Sequence, residues 1–255
     1  MRFRLRQLCL VARDLDRVAD DLQAVFGLDA CVRDLGVERH GLRNVVFPVG
    51  TSFLEVVSPA REGTTAGRYL ERLGGDGGYM VILDGGGIDA KRRHVQSLGI
   101  RIALDADRGG YHALHLHPKD VGASMLTFDS DEEGDDLMGR WKPAGAAWKD
   151  HIRTDTVSRM LTAELQSPDP EVLGRRWSGI LGKPLMPMGE AWSVDLDLGS
   201  LRFVADPDGR GETLGGIDLE VADAQGIVDT ARARQLPTAH RQVQICGVRF
   251  NLIER

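Results

Sequence analysis

The sequence predicts an α+β protein: four copies of a βαβββ module, paired two by two into cup-shaped mixed sheets with helices on their outer faces. Three observations carry this. Alternating apolar and polar stretches bracket stretches with apolar residues three and four apart, in the same order four times. The helix-ending glycines Gly27 and Gly99 stand 72 residues apart, and so do Gly50 and Gly122, which head GTSFLEV and GASMLTF. Two later strands share an Arg-Phe pair, Arg202-Phe203 and Arg249-Phe250.

The elements follow in order. Residues 5–11 alternate as a strand. Leu15, Val18, Leu22, Val25 and Phe26 form a helical stripe that Gly27 closes. Residues 44–49 and 53–57 form a hairpin through Gly50-Thr51. The second module has a strand at 79–83, a helix at 88–98 and a last strand in GASMLTF. GGDGG and GGG around that strand read as turns, since neither fits a phosphate-loop spacing. In the third module MLTAEL precedes a helix carrying Leu173, Trp177 and Ile180, then VDLDL and LRFVAD. The fourth runs IDLEVAD, a helix near 227–233, and VRFNLI.

The composition fits such a chain. Of 255 residues, 42% are apolar and 27% charged, enough to bury a core and too ordered a mixture for wholesale disorder. A net charge of -6 argues against nucleic acid, whose binders present a basic face. No apolar run approaches the roughly 20 residues that span a bilayer. The basic start followed by LCLVA is too short for a secretory signal and reads as the first strand. Three scattered cysteines form neither a disulfide framework nor a zinc motif, so a reducing cytoplasm is expected.

An acidic run, Asp131 to Asp136, then WKPAGAAW with Trp141 and Trp148, breaks the pattern near the middle. It is expected to be a linker at 131–152, its tryptophans anchored on a neighbouring surface. It would separate a first domain at 1–130 (modules 5–57 and 77–129) from a second at 153–255.

Strand alternation assigns side chains to faces. With a two-residue turn at Gly50-Thr51, Val46 opposes Glu55 and Asn44 opposes Val57. One face then carries Asn44, Phe53, Glu55 and, if the strand reaches back so far, His40. In the second module His115, His117, Met125 and Thr127 share the corresponding face. Glu55, a carboxylate inside FLEVV, needs an ion, a donor or a raised pKa, each compatible with a general base. A carboxylate bonded to Asn44 or Gln7 is the plainer alternative. His115 and His117 suggest an acid/base pair or a substrate clamp, because imidazole titrates near neutrality; the alternative is a solvent-facing edge pair.

The paired modules, the phrase LVARDLDRVADDLQAVFGL and GTSFLEVVSP resemble the vicinal oxygen chelate superfamily, which includes glyoxalase I, bleomycin-resistance proteins, extradiol dioxygenases and epimerases. HGLRNVVFPVG followed by GRYLERLGGDGGYM looks like its glyoxalase-like branch. The resemblance implies two glyoxalase-like domains, the second degenerate, and a metal position at Gln7, Glu55, Tyr79 and Thr127. Two neutral hydroxyls there leave a divalent ion short of donors, so no metal ligands are assigned and a divalent ion stays open as an alternative. The implied function is that of a lyase or isomerase acting on a small oxygenated molecule in the first-domain cup. Glu55 and His115 would be catalytic, with Gln7, His40, Asn44, Tyr79, His117 and Thr127 contacting substrate. The alternative is a non-catalytic binding protein of the bleomycin-resistance kind. The expected partner is a small molecule, neither nucleic acid nor membrane, and a homodimer is left open.

Overall fold

A computed structural model describes all 255 residues. The first module comprises β1 (Arg4–Val11), α1 (Leu15–Phe26), β2 (Val32–Arg33), β3 (Leu42–Val49) and β4 (Ser52–Pro59), and α2 (Thr65–Leu73) follows it. The second comprises β5 (Gly77–Asp84), α3 (Ile88–Ser97), β6 (Ile102–Asp107), β7 (His112–Leu116) and β8 (Met125–Ser130), with the short α4 (Pro118–Val121) between its last two strands. The third comprises β9 (Val157–Ser167), α5 (Pro170–Leu181), β10 (Met186–Met188), β11 (Ala191–Asp195) and β12 (Ser200–Ala205). The fourth comprises β13 (Thr213–Val221), α6 (Ala224–Ala233), β14 (Thr238–Ala239), β15 (Gln242–Ile245) and β16 (Val248–Glu254). The four βαβββ modules expected from the sequence are therefore present. They form two eight-stranded mixed sheets, ordered β2-β3-β4-β1-β5-β8-β7-β6 and β10-β11-β12-β9-β13-β16-β15-β14. No helix is long and apolar enough to cross a membrane.

Local chemistry explains the strand-to-helix joints. Asp14, Asp169 and Asp223 each stand at a helix N-cap and accept from the backbone N–H three residues on, at 3.1, 3.0 and 2.9 Å. The second module has Gly87 there instead, and no side chain caps α3. Gly27 ends α1 with φ 66°, in the left-handed region that glycine enters without cost.

The chain divides into two compact units, each drawn from three stretches. One contains Met1–Gln7, Tyr79–Lys142 and Thr162–Leu214; the other contains Leu8–Gly78, Pro143–Leu161 and Gly215–Arg255. In the first, Phe128 stacks at 5.0 Å from Phe3 under α3, and Trp177 of α5 meets Phe203 edge-on. In the second, α1 packs on α6 and Phe26 lies 5.0 Å from Phe250.

The hairpin register is the one the two-residue turn requires: Val49 opposes Ser52, Val46 opposes Glu55 and Asn44 opposes Val57. Gly50 makes that turn with φ 62°, and a Cβ there would lie 2.5 Å from the carbonyl oxygen of Ser158. Gly50→Ala therefore meets both a strained backbone and a collision. It should destabilise the protein by more than about 1 kcal/mol, read as a lower midpoint in urea unfolding; an unchanged midpoint would contradict this account of the turn.

Candidate functional site

The predicted site residues divide between the compact units. Gln7, Tyr79, His115, His117 and Thr127 belong to the first; His40, Asn44 and Glu55 belong to the second.

In the first compact unit, Phe128 faces α3, so Thr127 and Asp129 point to the other side of β8. Register places His115 opposite Thr127 and Asp84 beside Asp129. This polar face is covered by the chain's own 131–142 segment. Arg4 forms a buried ion pair with Asp84 and also donates to the carbonyl of Gly134. Arg6 donates to the carbonyl of Leu137 at 3.0 Å and stacks over Trp141. Trp141 is fully buried and donates its indole N–H to Gln7 Oε1 at 2.7 Å. Tyr111 meets Trp141 edge-on and donates to Asp129, to which the Thr127 hydroxyl also donates. His115 is half-buried; Tyr79 is buried in β5, but the pairing of Met80 with Met125 and of Ile82 with Thr127 puts Tyr79 on the Phe128 side, not with Thr127 as expected. The strand ends at Leu116, so His117 is not a strand residue. Its Nδ1 accepts from the Lys119 N–H and caps α4.

In the second compact unit, Glu55 accepts from Asn44 Nδ2 at 2.7 Å, and Asn44 Oδ1 accepts from the Leu35 N–H at 3.0 Å. Burial, then the neighbouring Glu55 carboxylate, pushes the Cys9 thiol well above its ordinary pKa, so it stays protonated. Trp148 is buried edge-on against Phe53, which shares the Glu55 face. His40 lies outside β3, in an exposed 3-10 turn at Glu38–His40. Partial desolvation and then Arg39 hold its imidazole below the usual value.

The donors of the metal position that the resemblance implies, Gln7, Glu55, Tyr79 and Thr127, are drawn from both compact units, and three of them already have partners. The Gln7 amide oxygen is engaged by Trp141, the Thr127 hydroxyl by Asp129 and the Glu55 carboxylate by Asn44. No three His, Cys, Asp or Glu residues are grouped to hold a metal.

The second sheet differs. On its face away from α5, within the first compact unit, parallel register puts Glu164 beside Arg202 and Thr162 beside Ser200. Antiparallel register adds Ser193 opposite Arg202 and Met186 opposite Ser193. Arg202 donates from Nε and Nη2 to Glu164 Oε2 at 3.1 and 2.7 Å, and the Thr162 and Ser200 hydroxyls lie 2.9 Å apart. The opposite side is sealed by Ala163, Leu165, Leu201 and Phe203. In the second compact unit, Asn251 donates to Asp218 and accepts from Gln242, both at 2.8 Å. Sequence reasoning gave Glu164 no role and took Arg202 only as a repeat marker. The signal it missed is a carboxylate inside an apolar strand, MLTAEL, the same signal that singled out Glu55.

No protein-family model matches the chain, and no curated protein matches it by sequence. Solved structures do match. A hypothetical protein from Staphylococcus aureus covers 100% of both chains with a TM-score of 0.70 at 12% identity. A Streptomyces coelicolor methylmalonyl-CoA epimerase variant, in complex with 2-nitronate-propionyl-CoA, covers 51% of this chain and 99% of its own at 21% identity, with a TM-score of 0.47. A Mycobacterium tuberculosis methylmalonyl-CoA epimerase covers 50% and 87% at 18% identity, with a TM-score of 0.45. At such identities the likeness is one of fold. The fold of two eight-stranded mixed sheets is the one shared, over both full lengths, with the Staphylococcus aureus protein.

Asp129 supplies a pH test of the covered face. Burial raises its carboxyl to about 6, against the hydrogen bonds from Thr127 and Tyr111 and with Asp84 adding to the rise. A folded pKa above the ordinary 3.8 means that its contribution to stability is complete below that value and is lost as pH rises through about 6. Asp129→Asn removes this dependence. Its melting temperature should gain on the wild type between pH 4 and pH 7, and parallel melting curves would show that Asp129 titrates normally.

Proposed function

We propose that the protein binds a small organic molecule on one face of the second sheet, at the paired side chains of Glu164 and Arg202. One observation carries this reading: exposure falls steadily along one sheet face, from 49% and 47% at Met186 and Met188 to 8% at Glu164 and 7% at Thr162. An exposed apolar margin leading to a nearly buried ion pair suits a small ligand, apolar at its edge and polar at its inner end. The polar face of β8, by contrast, lies under its own tryptophan. Exchanging both partners at once, Glu164→Gln with Arg202→Met, avoids stranding a buried charge. Neutral and amphipathic fragments should raise the melting temperature of the wild type but not of this double variant. Fragments that stabilise both proteins equally would count against this site.

A glyoxalase-like lyase or isomerase reaction is the second reading. It is favoured by Glu55, a 7% exposed carboxylate in an apolar strand, aimed by Asn44. A base of this kind removes a proton from carbon beside a carbonyl. Incubation in deuterated water with small 2-oxo compounds should then label that carbon, and Glu55→Gln should lower the rate by about 100-fold or more. No labelling above the buffer rate would leave Glu55 as a packing residue.

A further inference from the structure

We infer, resting on the binding reading above, that this sheet face takes a neutral aromatic molecule whose polar head carries a hydrogen-bond acceptor beside a donor, as a carboxamide does. The charge of the ion pair decides the head. Arg202 and Glu164 are paired, with side chains 18% and 10% exposed. An anion drawn to the guanidinium would also meet the carboxylate, and a cation would meet the reverse. A neutral head with both an acceptor and a donor can approach the guanidinium and the carboxylate side by side without opposing either charge. Ser193 and Ser200, half-buried on the same face, flank the pair with hydroxyls that both donate and accept. Asp195, opposite Ser200 and exposed, adds a negative charge at the margin, which also disfavours an anionic ligand.

The apolar margin decides the body. Register puts Met186 and Met188 on the Ser193 side of β11, while Pro187 opposes Trp192 on the other side. Two large apolar side chains with the same alignment, both about half exposed, border this face, Met186 opposite Ser193 and Met188 opposite Ala191. Thioethers pack favourably on the edges of aromatic rings and adapt to different ring shapes. An aliphatic body would gain burial alone.

The experiment uses the full chain carrying carbon-13 methionine methyl groups, with the Met186 and Met188 signals assigned through Met186→Leu and Met188→Leu. The probe is 2-aminobenzamide, compared with acetamide (head alone) and benzoate (anionic head). The expected result is a shift of both methyl signals by 2-aminobenzamide. The two comparison compounds should bind about tenfold more weakly or worse, and the Glu164→Gln/Arg202→Met variant should weaken 2-aminobenzamide by about tenfold or more. Benzoate binding as tightly as the amide would overturn the neutral head. Acetamide binding as tightly would overturn the aromatic body. If 2-aminobenzamide leaves both methyl signals unmoved while other fragments still depend on Arg202 and Glu164, the ligand class is wrong and the site stands. If no fragment depends on that pair, both fall.

Discussion

The indole N–H of Trp141 on the Gln7 amide is the contact around which the first compact unit is organised. The edge of that unit nearest the chain start carries Arg4, Arg6 and Gln7, all nearly or fully buried, and a buried polar group without a partner is costly. The 131–142 segment meets much of this need by supplying backbone carbonyls to the arginines and an indole to the glutamine. The acidic composition of the segment suits this role, since Asp131 in turn holds Arg140 and the backbone of Lys142. What reads as a break in the modular pattern is thus a folded cover, with its tryptophan as the fastener.

The same fold has been finished differently on its two sheets. Polar groups on the first are closed off by Trp141 and Trp148, each bound within its own compact unit. The third module keeps a graded approach from solvent to an ion pair. A repeated architecture permits this division: one copy can lose access without affecting the strand order of another, because access is a property of side chains and connecting segments rather than of the ladder.

The modules were legible in the sequence because period and punctuation agreed. Alternating strands, helical stripes and glycines at a fixed offset are local signals, and the Gly50-Thr51 turn fixed the register down to the Val46–Glu55 pair. The Glu55–Asn44 bond was legible too, as the plainer of two readings. Other features depend on distant contacts that spacing does not encode. His117 ends in a cap because Pro118 begins a helical turn. His40 falls outside its strand because Gly41, at φ 68°, turns the chain before Leu42. Asp129 and Tyr111 were invisible because neither is unusual until the fold brings both to the same buried spot. Which helices share a core, such as α1 with α6, is likewise set by packing between modules far apart in the chain.

Pro187 has a consequence for colloidal behaviour. It lies in β10, the outermost strand of its sheet, between two exposed methionines. An outermost strand with apolar side chains is a template on which further chains can polymerise. Proline lacks the backbone N–H that such growth requires, so this rim can stay greasy enough to meet a small molecule yet resist recruiting a neighbouring polypeptide.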